Sequence, residues 1–265
     1  MLTQRRRHRE LNFARRWIRR LQFAISALLL TSVITLAVPP TPAWAADGDL
    51  DTSFDSDGIR IQNRTSGTDV AYDLAFEDDG DFVVGGKDHN NLSKSDAQRM
   101  ANLGFNADGS GNGLFTNPND RLFWSPKTDA IWEALLMNDG RYAFVGHAGT
   151  STTGSGDDYD CVAVVREADG SLDTNFAGNG KLFVEFNASK SDKCFAGALR
   201  SDDKILAGGF VNNSDWDIAL ARINTDGTMD TSFGTGGRVT ADLGGGDVIR
   251  AVEVQTDGKI VVAGT

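Results

Sequence analysis

The Asp-Gly pair returns at Asp47-Gly48, Asp108-Gly109, Asp169-Gly170 and Asp226-Gly227, at spacings of 61, 61 and 57 residues, and this recurrence limits the possible folds more than any other feature. Self-similarity at a fixed period marks a tandem array in which each unit packs on its neighbours. A Phe follows each Asp at plus seven: Phe54, Phe115, Phe176 and Phe233. At plus eleven stand Gly58, Asn119, Gly180 and Gly237. Gly and Asn are the residues that best tolerate positive φ, so the repeat preserves a backbone conformation as well as letters. The four Phe residues are expected to be equivalent core positions.

A second turn follows at Asp79-Gly80, Asp139-Gly140, Asp202-Asp203 and Asp257-Gly258. Before it lie the apolar runs Val70 to Phe76, Ala130 to Leu136, Lys193 to Leu199 and Val248 to Val254; after it come Phe82 to Val84, Tyr142 to Val145, Ile205 to Ala207 and Ile260 to Val262. Short apolar runs around Asp-Gly read as β-hairpins. Each second run leads into a glycine, Gly86, Gly146, Gly209 or Gly264, as expected for a bulge or a close backbone approach. A further strand precedes the next Asp-Gly, at Asp160 to Arg166 and Asp217 to Arg222, with Arg99 to Phe105 as a degenerate copy. The runs Lys181 to Phe186 and Arg238 to Leu243 complete four strands per repeat.

Tandem four-stranded units are what propeller blades look like in sequence. No segment after the leader keeps helical periodicity over a helix's length. Parallel β-helices have shorter periods and immunoglobulin-like arrays longer ones. The expected fold is therefore all-β: antiparallel, β-propeller-like repeats over 47–107, 108–168, 169–225 and 226–265, the last truncated. Three copies and a part fall short of the roughly four to eight blades that close a ring. An incomplete propeller is expected, with exposed edges that self-associate and further repeats in the native protein.

The N-terminus has a different character. Eight arginines and one acid, Glu10, precede the apolar run Leu21 to Val38, which ends at Pro39-Pro40 before Ala43-Trp44-Ala45. This pattern predicts a signal peptide over 1–45, cleaved after Ala45, and a repeat domain over 46–265. The expected localisation is outside the cytoplasm: extracellular, cell-surface or periplasmic. Cleavage leaves 18 basic against 36 acidic residues, net −18. Such a surface repels nucleic acid and anionic lipid, so neither nucleic acid nor, after cleavage, membrane is an expected partner. Cys161 and Cys194 are the only cysteines. Two cysteines in an exported chain either pair as a disulfide or sit as two small buried hydrophobes.

Leu50-Asp51-Thr52-Ser53-Phe54, Leu172-Asp173-Thr174-Asn175-Phe176-Ala177-Gly178-Asn179-Gly180 and Met229-Asp230-Thr231-Ser232-Phe233-Gly234-Thr235-Gly236-Gly237 resemble the delta-60 repeat family. Asp257 to Gly264 and Asp217 to Arg222 extend the likeness. The second copy departs from it, with Gly111-Asn112-Gly113-Leu114 in place of Leu-Asp-Thr-Ser. The resemblance implies a secreted or cell-surface bacterial β-propeller-like domain and carries no catalytic residue with it.

Chemistry is sparsely signalled. After the leader only His89 and His147 remain, neither in a nucleophile-elbow sequence; both read as loop or strand-end residues. Most carboxylates sit at the repeated turns, where Asp caps its own backbone, and Asp51, Asp173 and Asp230 read the same way. Asn106 to Asn112 and Asn224 to Asp230 offer oxygens at near-alternate positions, as calcium requires, and turn chemistry accounts for them equally. The expectation is a non-catalytic module without a cofactor, structural calcium excepted. Its loops, such as the polar insert Lys87 to Gln98, would bind a glycan, a protein or a surface. The alternative is a propeller hydrolase of glycosidase or lactonase type acting at the central channel.

Overall fold

The computed structural model describes residues 48–63, 67–89, 98–115, 129–149, 158–188 and 190–265. The expected leader, Asn119, and most of the two loops at Lys87 to Gln98 and Ser151 to Asp160 lie outside these. Every regular element among the described residues is a strand. Sheet 1 is β1 (Val70–Phe76), β2 (Phe82–His89) and β3 (Gln98–Phe105). Sheet 2 is β4 (Ala130–Leu136), β5 (Tyr142–Gly149), β6 (Tyr159–Arg166) and β7 (Lys181–Val184). Sheet 3 is β8 (Asp192–Leu199), β9 (Ile205–Asn212), β10 (Trp216–Ile223) and β11 (Arg238–Ala241), and sheet 4 is β12 (Ile249–Val254) and β13 (Ile260–Gly264). Each is an antiparallel meander in chain order.

The sheets are out of phase with the sequence repeat. The unit opening at Asp169-Gly170 first delivers the fourth strand of sheet 2 and then the first three strands of sheet 3, and the unit opening at Asp226-Gly227 begins in the same way: β7 follows Asp169-Gly170 but pairs with β6, and β11 follows Asp226-Gly227 but pairs with β10. Between these strands the loops Leu172 to Phe176 and Met229 to Phe233 turn back across the seam. The amide of Ala177 donates to the Asp226 carbonyl and that of Asp55 to the Asp108 carbonyl, both at 2.8 Å. This seats each Asp-Gly turn on the previous repeat's Phe loop. A Cβ on Gly227 would lie 2.4 Å from the Ala177 nitrogen, so the glycine is required by contact as well as by its φ of +84°.

Three apolar cores lie between successive sheets. Val83, Phe115, Phe144 and Val164 share the first, Val145, Phe176, Ile205 and Ile223 the second, and Leu206, Leu220, Ile249 and Val252 the third. The repeated Phe occupies these seams as expected: Phe176 is fully buried, Phe115 nearly so, and Phe233 packs half-buried on the third core. Phe54 lies against Phe82 on the opposite face of sheet 1. Gly58, Gly180 and Gly237 have φ of +83°, +80° and +89°.

The second hairpin strands are longer than the sequence expectation, because β2, β5 and β9 continue past Gly86, Gly146 and Gly209. These glycines face a bulge in the first strand of the same sheet. A Cβ on Gly146 would stand 1.9 Å from the Ala130 carbonyl oxygen, so the glycine lets the bulge close while the strand runs on. The ends of the polar insert Lys87 to Gln98 accordingly belong to β2 and β3. Of the two histidines expected in loops or at strand ends, His89 is the last residue of β2 and His147 lies buried in β5, two residues from its end.

Candidate functional site

All four first strands carry the bulge at the same place, between Ala71 and Asp73, Ile131 and Glu133, Cys194 and Ala196, and Ile249 and Ala251. The bulged residues are Tyr72, Trp132, Phe195 and Arg250, and they form a row across the sheets. Tyr72 stacks on Trp132 with ring centres 4.0 Å apart, Trp132 meets Phe195 edge-on at 5.1 Å, and the Arg250 guanidinium lies 4.5 Å above the Phe195 ring. The row extends sideways through Phe210 to Trp216, whose rings stack at 4.8 Å. Lys193 lies 3.7 Å above the Tyr159 ring and Lys87 5.6 Å above Tyr72, so three cations border the aromatic row. Tyr72, Trp132 and Phe195 are half-buried, whereas Trp216 and Arg250 are exposed.

His147 sits beneath this row. Trp132 Nε1–H donates to His147 Nδ1 at 3.1 Å, and the ring also bonds the backbone of Cys194. Burial, reinforced by the nearby Lys193 and Lys87 charges, pushes its pKa down to about 3. It is a neutral ring that orients Trp132, with its basic nitrogen already occupied. Directly below, the Sγ atoms of Cys161 in β6 and Cys194 in β8 are bonded at 1.97 Å, joining sheet 2 to sheet 3.

Carboxylates on the first strands also reach across the seams. Ala134 N–H donates to Asp73 Oδ2 at 2.8 Å, and Gly197 N–H donates to Glu133 Oε2 at 3.3 Å. Asp73 and Glu133 hold the same position in sheets 1 and 2 and hydrogen-bond each other. Burial, then the Asp73 charge, pushes Glu133 up to about 7.

A second acidic column, Asp69, Asp129, Asp192 and Asp247, stands three residues ahead of each bulge. Gly149 N–H donates to Asp129 at 2.9 Å, Cys161 and Phe186 N–H donate to Asp192 at 2.8 and 3.0 Å, and Leu243 N–H donates to Asp247 at 2.7 Å. Burial pushes Asp129 and Asp192 up to about 7 as well. Neither the aromatic row nor this Asp column was singled out from sequence. Registering the copies on the first strand, instead of on Asp-Gly, displays both.

The carboxylates that sequence did single out lie elsewhere and serve their own turns. Ser53, Asn175 and Ser232 amides donate to Asp51, Asp173 and Asp230 at 2.9, 2.9 and 3.1 Å. Arg141 pairs with Asp173 at 2.6 Å, while Lys204 and Arg222 both reach Asp230 at 2.8 Å. Asp108 and Asp226, in the two segments considered for calcium, accept from the Ser110 and Thr228 amides at 2.9 Å. Three other acids, Asp215, Asp217 and Asp242, bring carboxylate oxygens within 4.8 Å of one another.

A family model described as a domain of unknown function (DUF5122) beta-propeller matches residues 200–233, from the Asp202-Asp203 turn through β9 and β10 to Phe233. The antiparallel, mostly four-stranded sheets fit the blades of an incomplete propeller. No curated protein matches the chain. The described blades make an open, incomplete array whose first strands carry the aromatic row.

Proposed function

We propose that this chain is an exported, non-catalytic scaffold of the delta-60 repeat type, which binds a ligand outside the cytoplasm along the row Tyr72, Trp132, Phe195, Trp216 and Arg250. The observation that carries this reading is the use made of four displaced groups near the row. His147 orients Trp132, and Asp129, Glu133 and Asp192 accept backbone amides. What is left for contact is aromatic surface bordered by cations. A glycan with acidic substituents suits it best, since ring edges and faces pack on sugars while Lys193 and Arg250 meet the negative groups.

The experiment is a glycan array with the secreted protein, followed by tryptophan-fluorescence titration of the hits. Binding weakened by Trp216→Ala and by Arg250→Ala supports the proposal; no binding to any glycan removes the ligand class. N-terminal sequencing of the same material is expected to begin at Ala46, and a retained Met1 would overturn the export reading.

One observation favours a second reading, a glycoside or lactone hydrolase. Glu133, pushed up to about 7 and bonded to Asp73, is partly protonated at neutral pH, as a general acid poised near its working pH must be. Turnover of aryl glycosides or lactones that Glu133→Gln abolishes would establish that reading in place of the first.

A further inference from the structure

With the blades numbered as their sheets, the seam between blades 1 and 2 is closed by two acids at one end and by a tyrosine at the other. At the end that carries the aromatic row, Asp73 of β1 and Glu133 of β4 hydrogen-bond each other, which two carboxyl groups do only by sharing a proton. Each also accepts a backbone amide across a seam, Asp73 from Ala134 at 2.8 Å and Glu133 from Gly197 at 3.3 Å. The residues just before them in the chain are Tyr72 and Trp132, the rings stacked at 4.0 Å. At the hairpin-turn end of the same seam, the Tyr142 hydroxyl donates to Glu77. Burial, then that hydrogen bond, raises the Tyr142 pKa, so this second tie stays made across the neutral range.

Among the described residues no arginine or lysine pairs with either acid. From β12, Glu253 adds to the repulsion that Asp73 exerts on Glu133. The other charged groups on the strands around β4 are engaged elsewhere. Lys87 of β2 lies over Tyr72, Asp88 of β2 pairs with Arg99 of β3, and Lys193 of β8 lies over Tyr159. Asp192 of β8 accepts the Cys161 amide, Arg250 of β12 lies over Phe195, and His147 of β5 is neutral and accepts from Trp132. Burial, then the Asp73 charge, holds Glu133 at about 7. Both acids are half-buried, so their proton can pass to solvent. Once it has gone, two carboxylates face each other at hydrogen-bond distance with no cation between them.

We infer that the Asp73–Glu133 pair is a proton-operated catch on the aromatic row. With one proton shared, blade 1 is held against blade 2 and Tyr72 stays stacked on Trp132. When that proton is lost the carboxylates separate, the seam opens at the row end about the Tyr142–Glu77 tie, and the stack parts. That the row then holds its ligand less tightly rests on the binding proposal above; the opening of the stack does not.

The test is near-UV circular dichroism of the whole protein between pH 5 and 9, which reads the fixed stacking of Tyr72 on Trp132. The signal is expected to fall with a midpoint near 7 while the far-UV signal of the sheets holds, and Tyr72→Leu, which has no stack, is expected to lack the transition. Glu133→Gln and Asp73→Asn each leave a single acid and keep an oxygen for the amide. Each is expected to abolish the transition, and using both covers a variant that does not fold. A flat stacking signal in the unsubstituted protein would overturn the inference. So would a transition that persists in a folded variant, which then belongs to Asp129 or Asp192, or one that takes the sheet signal with it, which is unfolding. Fluorescence titration with oligogalacturonate, an acidic glycan, forms the second arm. Its affinity is expected to fall up to about tenfold from pH 6 to pH 8, following the fraction of protein whose catch is closed. Equal affinity at both pH values would overturn the link to the row. A transition without oligogalacturonate binding at either pH supports the catch and tells against the acidic-glycan reading alone.

Discussion

The seam between blades 2 and 3 and the seam between blades 3 and 4 are built on the same repeat and held together differently. The middle seam buries thirteen residues, Phe176 among them, is crossed by the Cys161–Cys194 bond, and is hydrogen-bonded by Glu133 to the Gly197 amide and by Asp192 to the Cys161 amide. The last seam buries six, and its Phe233 remains half-buried. Ala196 stands there in the position that Asp73 and Glu133 hold in the first two blades. One register of strands thus accepts either a polar, covalently tied joint or a plain apolar one. The seam's geometry comes from the strand bulge and the Phe loop, and its strength from what is placed on them.

The sharpest way to break this comparison is to truncate the repeated Phe in each seam. Phe176→Ala is expected to cost about 3–5 kcal/mol, the range for a fully buried ring, and Phe233→Ala less than half as much. Urea unfolding of the two variants decides it; equal losses would mean that the two seams do not differ in the way their burial indicates. Next in size is the disulfide, whose ends are 33 residues apart. Its reduction is expected to lower stability by about 3 kcal/mol through the freed unfolded chain, and limited proteolysis should then cut first between blades 2 and 3.

The smallest effect has the opposite sign. Asp129, Glu133 and Asp192 are each pushed up to about 7 in the folded chain, so between about pH 4 and 7 the folded state binds more protons than the unfolded one. Stability is therefore expected to fall as pH rises through that window. Glu133→Gln keeps an oxygen for the Gly197 amide without the buried charge. A gain on the order of 1 kcal/mol at pH 8, with a flatter pH profile, is expected after allowance for solvent screening. Thermal melts at pH 5 and 8 give the answer, and an unchanged profile would assign the slope to Asp129 and Asp192 alone.

The strands were legible because this fold writes them as short apolar runs between turns of fixed chemistry. The Asp-Gly pairs and the glycines at plus eleven fixed the register, and Gly86, Gly146, Gly209 and Gly264 marked the close approach before any bulge was visible. The fold's phase was not legible. A fourth strand sits next in sequence to the following blade and pairs with the previous one, and only three-dimensional pairing assigns it. The aromatic row was hidden for a related reason. Tyr72, Trp132, Phe195 and Arg250 share no residue type, and only the common bulge makes them equivalent. The second position of the hairpin turn shows a milder form of this: Asp203 takes φ of +60° where its counterparts are glycines, steadied by two hydrogen bonds from Asn138 to its Oδ1.

The offset between repeat and blade also determines how a gene for such a chain can grow. A DNA segment copied from the Asp169-Gly170 codons to the Asp226-Gly227 codons encodes the closing strand β7 followed by the three opening strands β8 to β10. Inserted in frame at either of these two points, it finishes the blade upstream and begins one that the downstream copy finishes. Unequal recombination at these two points thus adds whole blades, and array length can vary between descendants without passing through a broken sheet.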